Sequence, residues 1–361
     1  MSDKRILFTG GGTAGHVIVN LAVIPHFQKE GWKIDYIGSK NGIEKELIGR
    51  LDNVEYHEIS TGKLRRYFSK ENFKDPFKVL KGVLQSYRII GKRKPSVIFS
   101  KGGFVSVPVL AAAWLRKTPA VIHESDYTPG LANKLAIPFA KKVLTTFPET
   151  IQYLPETKAE WIGAVVRDEL FEGNREKGLA IADLDNSKPV LLIMGGSGGS
   201  AKINESVRGS LDELLEDYQI IHICGKNNVD PSIKKRGYTQ FEYVNEELSD
   251  LFAATDFVLS RAGSNAIFEF LALRKPMLLV PLSRNASRGD QILNANSFQK
   301  QGYAHMVEEE ELTDKRLVEE LKRLKQEKAT ILQHMRNYES REAKQQVIST
   351  IKQAGRIGSQ K

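Results

Sequence analysis

Short apolar runs alternate along the chain with longer segments whose apolar positions recur at helical spacing. That alternation predicts parallel strands joined by crossover helices. In the first half the strand-like runs are RILFTG, IDYIG, VEYHEI, SVIFS, AVIHES and KVLTTF. The pattern restarts at Pro189 with PVLLIMGGSGGS, followed by QIIHICG, FVLSRAG and MLLVPL. A glycine-rich strand-to-helix turn opens each half, so the chain reads as two doubly wound α/β domains in tandem. The boundary is expected near Ile162–Arg167. From about Glu308 the chain is rich in Glu, Lys, Arg and Gln at helical spacing, which predicts two closing helices and a frayed tail from about Gly355.

In a doubly wound sheet, ligands bind at the carboxyl ends of the strands, where glycines admit a phosphate and the next helix offers free N–H groups. Three turns have this form: Gly10-Gly11-Gly12-Thr13-Ala14-Gly15, Gly102-Gly103, and Gly195-Gly196-Ser197-Gly198-Gly199. A single glycine pair is more often a packing device. Three turns, each after a strand and before a helix, point to diphosphate binding. The first also fits the Gly-x-Gly-x-x-Gly spacing of a dinucleotide site. That alternative needs an acidic residue closing the second strand to hold a ribose. Here that strand ends Gly38-Ser39-Lys40, with Asp35 near its start. His16, just past the first turn, adds a titratable group that a purely cradling turn does not require.

Composition is that of an ordinary globular protein, 41% hydrophobic and 27% charged. The single cysteine, Cys224, rules out a disulfide framework and fits a reducing compartment. No apolar run reaches the roughly 20 residues of a membrane span. A strand pattern begins at Arg5, so no signal peptide is expected and a cytoplasmic location is. The net charge of +9 is carried by the first half, where residues 1–163 hold 25 basic and 15 acidic side chains. Such a field favours an anionic partner. No zinc spacing or RNA-binding signature accompanies it, so nucleic acid is not expected.

The two glycine turns, KGGFVSVP, HESDYTPGLANK and SRAGSNAIFEFLALRKPMLLVPL occur in one order. Together they resemble the MurG family of bacterial peptidoglycan glycosyltransferases, family 28, over essentially the whole chain. The resemblance implies a GT-B fold. An acceptor- and membrane-facing domain spans 1–163. A domain that binds UDP-N-acetylglucosamine spans 164–337, and a last helix, about 338–354, crosses back to the first domain. It also implies transfer of N-acetylglucosamine to the 4-hydroxyl of undecaprenyl-diphospho-N-acetylmuramoyl-pentapeptide, lipid I, with inversion at the anomeric carbon. Other GT-B readings, a glycolipid synthase or a UDP-N-acetylglucosamine epimerase, and a non-catalytic UDP-sugar sensor, remain alternatives.

Inversion by single displacement needs a base for the acceptor hydroxyl and stabilisation of the departing diphosphate. His16 is the first candidate base, because an imidazole is largely neutral at pH 7. Asp126 and Glu124 are rival bases. Asp126 stands where some family members have asparagine, and an aspartate cannot donate an amide hydrogen bond. The resemblance assigns Arg167 to the donor diphosphate, Ser197 to the UDP portion and Glu269 to the ribose hydroxyls. The helix start Ser264, Asn265, Ala266, Ile267 and Phe268 goes with Glu269. Val244 is assigned to the uracil edge, Gln291 to the transferred sugar, and Thr13, Ala14 and Gly15 to the donor. Gly11, Gly12, Gly102 and Gly103 are candidates for the acceptor diphosphate. No cofactor is required by this picture and no metal site is argued. The Asp183-Leu184-Asp185 triplet precedes a strand and reads as a polar loop.

A lipid-linked acceptor brings the enzyme to an anionic membrane surface, in the company of cell-wall assembly proteins. Residues 63–94 hold 11 basic and 2 acidic side chains. Asp75-Pro76 predicts a helix start. Phe77, Leu80, Leu84 and Tyr87 then share one face, expected to pack inward on the sheet. Lys78, Lys81, Arg88 and Lys92 lie beside it. With Leu64, Tyr67, Phe68 and Phe73 this basic flank forms a candidate interfacial patch.

Overall fold

The computed structural model describes residues 4–62, 75–196, 198–284, 288–338 and 341–358. They form two compact units, 1–165 with 340–361, and 166–339. The first contains strands β1 (Arg5–Thr9), β2 (Lys33–Ser39), β3 (Val54–Ile59), β4 (Val97–Ser100), β5 (Ala120–Glu124), β6 (Lys142–Thr145) and β7 (Ala159–Trp161). All pair in parallel, in the order β3-β2-β1-β4-β5-β6-β7. Helices α1 (Ile18–Lys29), α2 (Ile43–Ile48), α3 (Asp75–Arg93), α4 (Ser106–Leu115) and α5 (Leu131–Ala136) connect them.

Successive strand residues point to opposite faces, so both faces of this sheet must be apolar. Ile6, Phe8, Val97 and Phe99 join one core, and Leu7, Ile98, Val109 and Ile122 the other. The first core is closed by α1 and by the chain's last helix, which supplies Ala343, Val347, Ile348, Ile351 and Ala354.

The second unit holds β8 (Val190–Met194), β9 (Gln219–Ile223), β10 (Tyr238–Phe241), β11 (Phe257–Ser260), β12 (Met277–Leu279) and β13 (Ala304–Met306). They too run parallel, in the order β10-β9-β8-β11-β12-β13. Its helices are α6 (Arg175–Ile181), α7 (Ala201–Gly209), α8 (Leu211–Asp217), α9 (Leu248–Ala254), α10 (Ser264–Ala272), α11 (Asp290–Lys300), α12 (Asp314–Gln326) and α13 (Lys328–Met335). The last helix, α14 (Arg341–Gly358), continues past Gly355, where a frayed tail is expected, and among the described residues three α-helices rather than two follow Glu308.

One helix is turned the other way from its expected orientation. Gly82, Ser86 and Ile90 form the buried side of α3, and a Cβ at Gly82 would overlap the Ser60 carbonyl. Phe77, Leu80 and Leu84 face outward, 76%, 59% and 55% exposed. Small residues let α3 lie close to its neighbours, which leaves the bulky apolar stripe outside. Leu64, Tyr67, Phe68 and Phe73 lie outside the described residues. No helix among the described residues is long and apolar enough to cross a membrane.

Candidate functional site

Each sheet changes direction at its first strand. β1 has β2 on one side and β4 on the other, and β8 has β9 and β11. Connections leaving to opposite sides open a crevice at the carboxyl ends of such strands. The glycine turns singled out in the sequence follow β1, β4 and β8, and a further one, Gly263, follows β11.

In the first unit the two turns pack backbone against backbone. The Gly11 N–H donates to the Gly102 carbonyl at 3.3 Å, and a Cβ at Gly103 would overlap the Gly11 carbonyl. Glu44, fully buried in α2, accepts from the Gly12 N–H at 3.1 Å and the Ser39 N–H at 2.9 Å. A Cβ at Gly11 would overlap its carboxylate. The N–H groups of Gly11 and Gly12, candidates for the acceptor diphosphate, are therefore engaged within the protein. One N–H is spent on Gly102, and the other holds the chain's own anion. Gly12 is needed for its φ of +89°, and its would-be Cβ meets open space.

Thr13 precedes a single helical turn, Ala14–His16. His16 Nδ1 lies 3.1 Å from the Gly11 carbonyl and 3.0 Å from Thr13 Oγ1. A carbonyl only accepts, so this network assigns the hydrogen to Nδ1 and the basic lone pair to Nε2. Thr13 and the Gly11 carbonyl thus set the orientation of His16, and Ala14 and Gly15 make the turn that carries it.

The loop after β5 is organised around Glu124. Its carboxylate accepts from the Asp126 N–H (3.0 Å), the Gly130 N–H (2.9 Å) and Asn133 Nδ2 (2.9 Å). Burial and the neighbouring Asp126 charge push this carboxyl up, while Lys101 and its donors pull it down. Three donors on two oxygens make Glu124 a holder of its loop, and the role of base that the sequence suggested does not fit it. Asp126 is half-buried, with its carbonyl accepting from Thr150 Oγ1 at 3.1 Å. Asn133 also backs Gly102, whose φ is +99°. Beside these groups lies Lys101, 1% exposed, its Nζ donating to Ser125 Oγ at 2.7 Å.

In the second unit the turns are open. A Cβ at Gly196, Gly198 or Gly263 would meet nothing within 4 Å. Ser197 lies outside the described residues. Ser200 caps α7, its side chain accepting from the Ile203 N–H at 3.3 Å, and Gly263 precedes α10. These two helix starts direct N–H groups and positive dipole ends toward the β8/β11 crevice. Arg167 meets Glu269 as a fork, Nε to Oε1 at 3.0 Å and Nη2 to Oε2 at 3.2 Å. Burial raises the Glu269 carboxyl, and Arg167 opposes that shift. Gln291 accepts from the Leu282 N–H at 2.9 Å, and Val244 sits half-buried in the loop after β10.

Residues 6–145 match the Glycosyltransferase family 28 N-terminal domain, and residues 190–351 the Glycosyltransferase family 28 C-terminal domain. The chain belongs to glycosyltransferase family 28. It is 67% identical over 350 residues to the UDP-N-acetylglucosamine–N-acetylmuramyl-(pentapeptide) pyrophosphoryl-undecaprenol N-acetylglucosamine transferase of Oceanobacillus iheyensis, covering 97% of this chain and 98% of that one. Identity to the protein of the same name from Geobacillus kaustophilus is 58%, over 98% of this chain and 99% of that one. The fold matches the crystal structure of Acinetobacter baumannii MurG with a TM-score of 0.77 at 24% identity, covering 97% of this chain and 99% of that one.

Within this family 28 chain the predicted helix start divides in two. Asn265 and Ala266 are half-buried at the first turn of α10, and Ser264 is buried there. Ile267 and Phe268 are core residues, with Phe268 packed on Phe298 at 4.9 Å between ring centroids. Their side chains serve packing. Sequence reasoning missed Arg261, 8% exposed, which donates to Ser200 Oγ at 2.7 Å and to the Val280 and Pro281 carbonyls, and pairs with Glu309. It thereby ties the α7 cap to the ends of β11 and β12. Asp35, the acidic residue of β2, is buried. It is held by Arg5 Nη1 (2.9 Å), Arg93 Nε (2.7 Å) and His57 Nε2 (2.7 Å). With Glu55 and His57 it forms a grouping of metal-ligating types, but the guanidinium groups of Arg5 and Arg93 already pair with its acids. Asp183 and Asp185 lie in the turn before β8.

Proposed function

We propose that this chain transfers N-acetylglucosamine from UDP-N-acetylglucosamine to the 4-hydroxyl of undecaprenyl-diphospho-N-acetylmuramoyl-pentapeptide, converting lipid I to lipid II. The observation that carries the reading is whole-length identity of 67% to a relative named for that transfer. The geometry supports it. His16 Nε2 accepts the proton of the acceptor hydroxyl, whose oxygen attacks the anomeric carbon opposite the departing UDP. The bond from that carbon to the diphosphate breaks, and the configuration inverts. The starts of α7 and α10 and the Arg167 guanidinium take up the charge of the leaving diphosphate. Glu269 accepts from the ribose hydroxyls once Arg167 turns to phosphate. Gly102 and Gly103 remain candidates for the acceptor diphosphate. The role requires no cofactor.

The lipid acceptor gives the outward face of α3 a use. Phe77, Leu80 and Leu84, with exposed Trp114 and Leu115 of α4, form an apolar surface. Lys81, Arg88 and Lys92 are exposed beside it, and Arg116 stacks on Tyr87 at 3.6 Å. Basic side chains near an anionic bilayer contribute about 1 kcal/mol each. We read this face as resting on the cytoplasmic leaflet. Reversing Lys81, Arg88 and Lys92 to glutamate should lower binding to anionic liposomes at least tenfold. Unchanged binding would remove the membrane reading.

The test of the reaction is transfer of labelled N-acetylglucosamine from its UDP donor to a lipid I analogue. Turnover by the wild type supports the assignment. A well-folded wild type inactive on every muramoyl-diphospholipid would overturn it, and hydrolysis or epimerisation without acceptor would favour the epimerase reading.

A further inference from the structure

Glu44, on the first turn of α2, is fully buried. A buried carboxylate is costly unless a cation or hydrogen bonds compensate it. Among the described residues hydrogen-bond donors alone hold it. Ser39 N–H (2.9 Å) and Ser39 Oγ (2.5 Å) donate to Oε1, and the Gly12 N–H (3.1 Å) donates to Oε2. Tyr36 of β2 and Tyr56 of β3 feel its charge but donate elsewhere, to the Gly10 and Ser39 carbonyls, each at 2.7 Å. Two glycines make room for it, since a Cβ at Gly11 or Gly42 would lie 2.4 or 2.2 Å from its carboxyl atoms. The first glycine turn is thus shaped around this carboxylate.

The Gly12 N–H belongs to the same peptide group as the Gly11 carbonyl, and that carbonyl lies 3.1 Å from His16 Nδ1. One planar amide therefore stands between the two side chains, with Glu44 on its hydrogen and the imidazole on its oxygen. The amide is hemmed in, because the Gly11 N–H donates to the Gly102 carbonyl and Gly103 closes on the Gly11 oxygen. An anion on the amide hydrogen draws electrons toward the amide oxygen and strengthens the hydrogen bond which that oxygen accepts. In a Ser-His-Asp site a buried carboxylate on Nδ1–H holds the imidazole tautomer and stabilises the imidazolium. Resting on the transfer reaction and the base proposed above, we propose that Glu44 is a positioning residue that acts in this way on His16 through the Gly11–Gly12 peptide group. It fixes the direction of that peptide, keeps the ring hydrogen on Nδ1 and leaves Nε2 for the proton of the acceptor hydroxyl. Thr13 Oγ1, 3.0 Å from Nδ1, is neutral and adds no charge to the relay.

The experiment compares wild type, Glu44→Gln and Tyr56→Phe by transfer to a lipid I analogue, by melting temperature, and by NMR of isotope-labelled histidine, with His16→Ala assigning the His16 signals. A glutamine offers one acceptor oxygen. Turned toward the two Ser39 donors, it sets its NH2 against the Gly12 N–H and drives the peptide away. Glu44→Gln should lower kcat about 30-fold, part of the roughly 10²–10⁴-fold that a general base supplies, with the donor KM within about twofold. The neutral His16 ring should pass from the Nδ1–H tautomer to a mixture of both. Tyr56→Phe removes a neighbouring hydrogen bond that is not part of the relay. It should lower the melting temperature, leave kcat within about twofold and leave the His16 signals in place. Wild-type kcat or an unchanged His16 tautomer in Glu44→Gln overturns the proposal. So does an equal loss of kcat in Tyr56→Phe, which would make the effect one of packing. If Glu44→Gln does not fold, the wild type decides. The Nδ1–H tautomer together with slow hydrogen exchange at the Gly12 amide, on a residue that is otherwise exposed, supports the relay. The Nε2–H tautomer or a freely exchanging amide overturns it. If the wild type transfers nothing, the reaction reading fails by itself, and the tautomer comparison still decides the role of Glu44.

Discussion

The crevices beside β1 and β8 occupy the same topological position in two similar sheets, yet they are furnished differently. Beside β1, Glu44 holds the Gly12 N–H, the Gly102 carbonyl holds the Gly11 N–H, and His16, Lys101, Glu124 and Asp126 supply titratable groups. Beside β8, Gly196, Gly198 and Gly263 leave bare backbone facing open space, and the charged groups are paired with one another, Arg167 with Glu269 and Arg261 with Glu309. Gly103 is required because another chain segment lies where its side chain would go. Gly198 has no such neighbour among the described residues, so its backbone is left open to approach. One crevice is suited to moving a proton, the other to admitting a large ligand.

The strongest way to break this contrast is His16→Ala. General base catalysis contributes roughly 10²–10⁴-fold, so kcat should fall by about that factor while the affinity for UDP-N-acetylglucosamine stays unchanged. Weakened donor binding with kcat intact would reverse the roles given to the two crevices. Next is Gly11→Ala, whose Cβ would overlap the Glu44 carboxylate. Overpacking of this kind costs about 1–3 kcal/mol, to be read as a lowered denaturation midpoint.

A third effect concerns buried histidines. His222 of β9 is satisfied at both nitrogens, by Tyr238 Oη at 2.9 Å and Asn204 Oδ1 at 3.0 Å. Burial and Arg208 lower its pKa to about 3. The unfolded chain therefore takes up a proton below about pH 6.5 that the native protein refuses, and stability falls as pH falls. By linkage the loss between pH 7 and pH 5 is about 2 kcal/mol for this residue, and His222→Gln should remove that part of the slope in urea titrations. An unaltered slope would mean that His222 is protonated in the folded state. The smallest effect is expected for Gly198→Ala. It should leave stability within about 0.5 kcal/mol and raise the KM for the donor about tenfold. Equal KM values would show that no ligand approaches that backbone.

Much of this fold was legible because buried parallel strands leave dense apolar runs such as VLLIM and AVIHE. The edge strands β7, β10 and β13 were not, since AEW, YTQF and AHM are short and partly polar. Helix α3 was recognised, but its orientation was not. An apolar stripe announces burial without naming the partner, and here small residues took the inner face. At the site, glycines and His16 announced themselves by position in a strand–turn–helix motif. Glu44, Lys101 and Arg261 did not, because a buried charge is visible only once its partners are assembled. Arg167 and Glu269 were each expected to meet a ligand, and their mutual fork joins residues 102 positions apart.

The place of α14 in the first core bears on how the protein is made. Its residues Val347, Ile351 and Ala354 share a cluster with Ile6, Phe8, Val97 and Phe99, yet all of 166–339 is translated before them. When α14 is translated, every residue of the second unit has already been synthesised. The first unit, begun earlier, still lacks the helix that completes the cover on one apolar side of its sheet. Birth order and completion order are inverted, and the nascent chain's most vulnerable surface belongs to its oldest part.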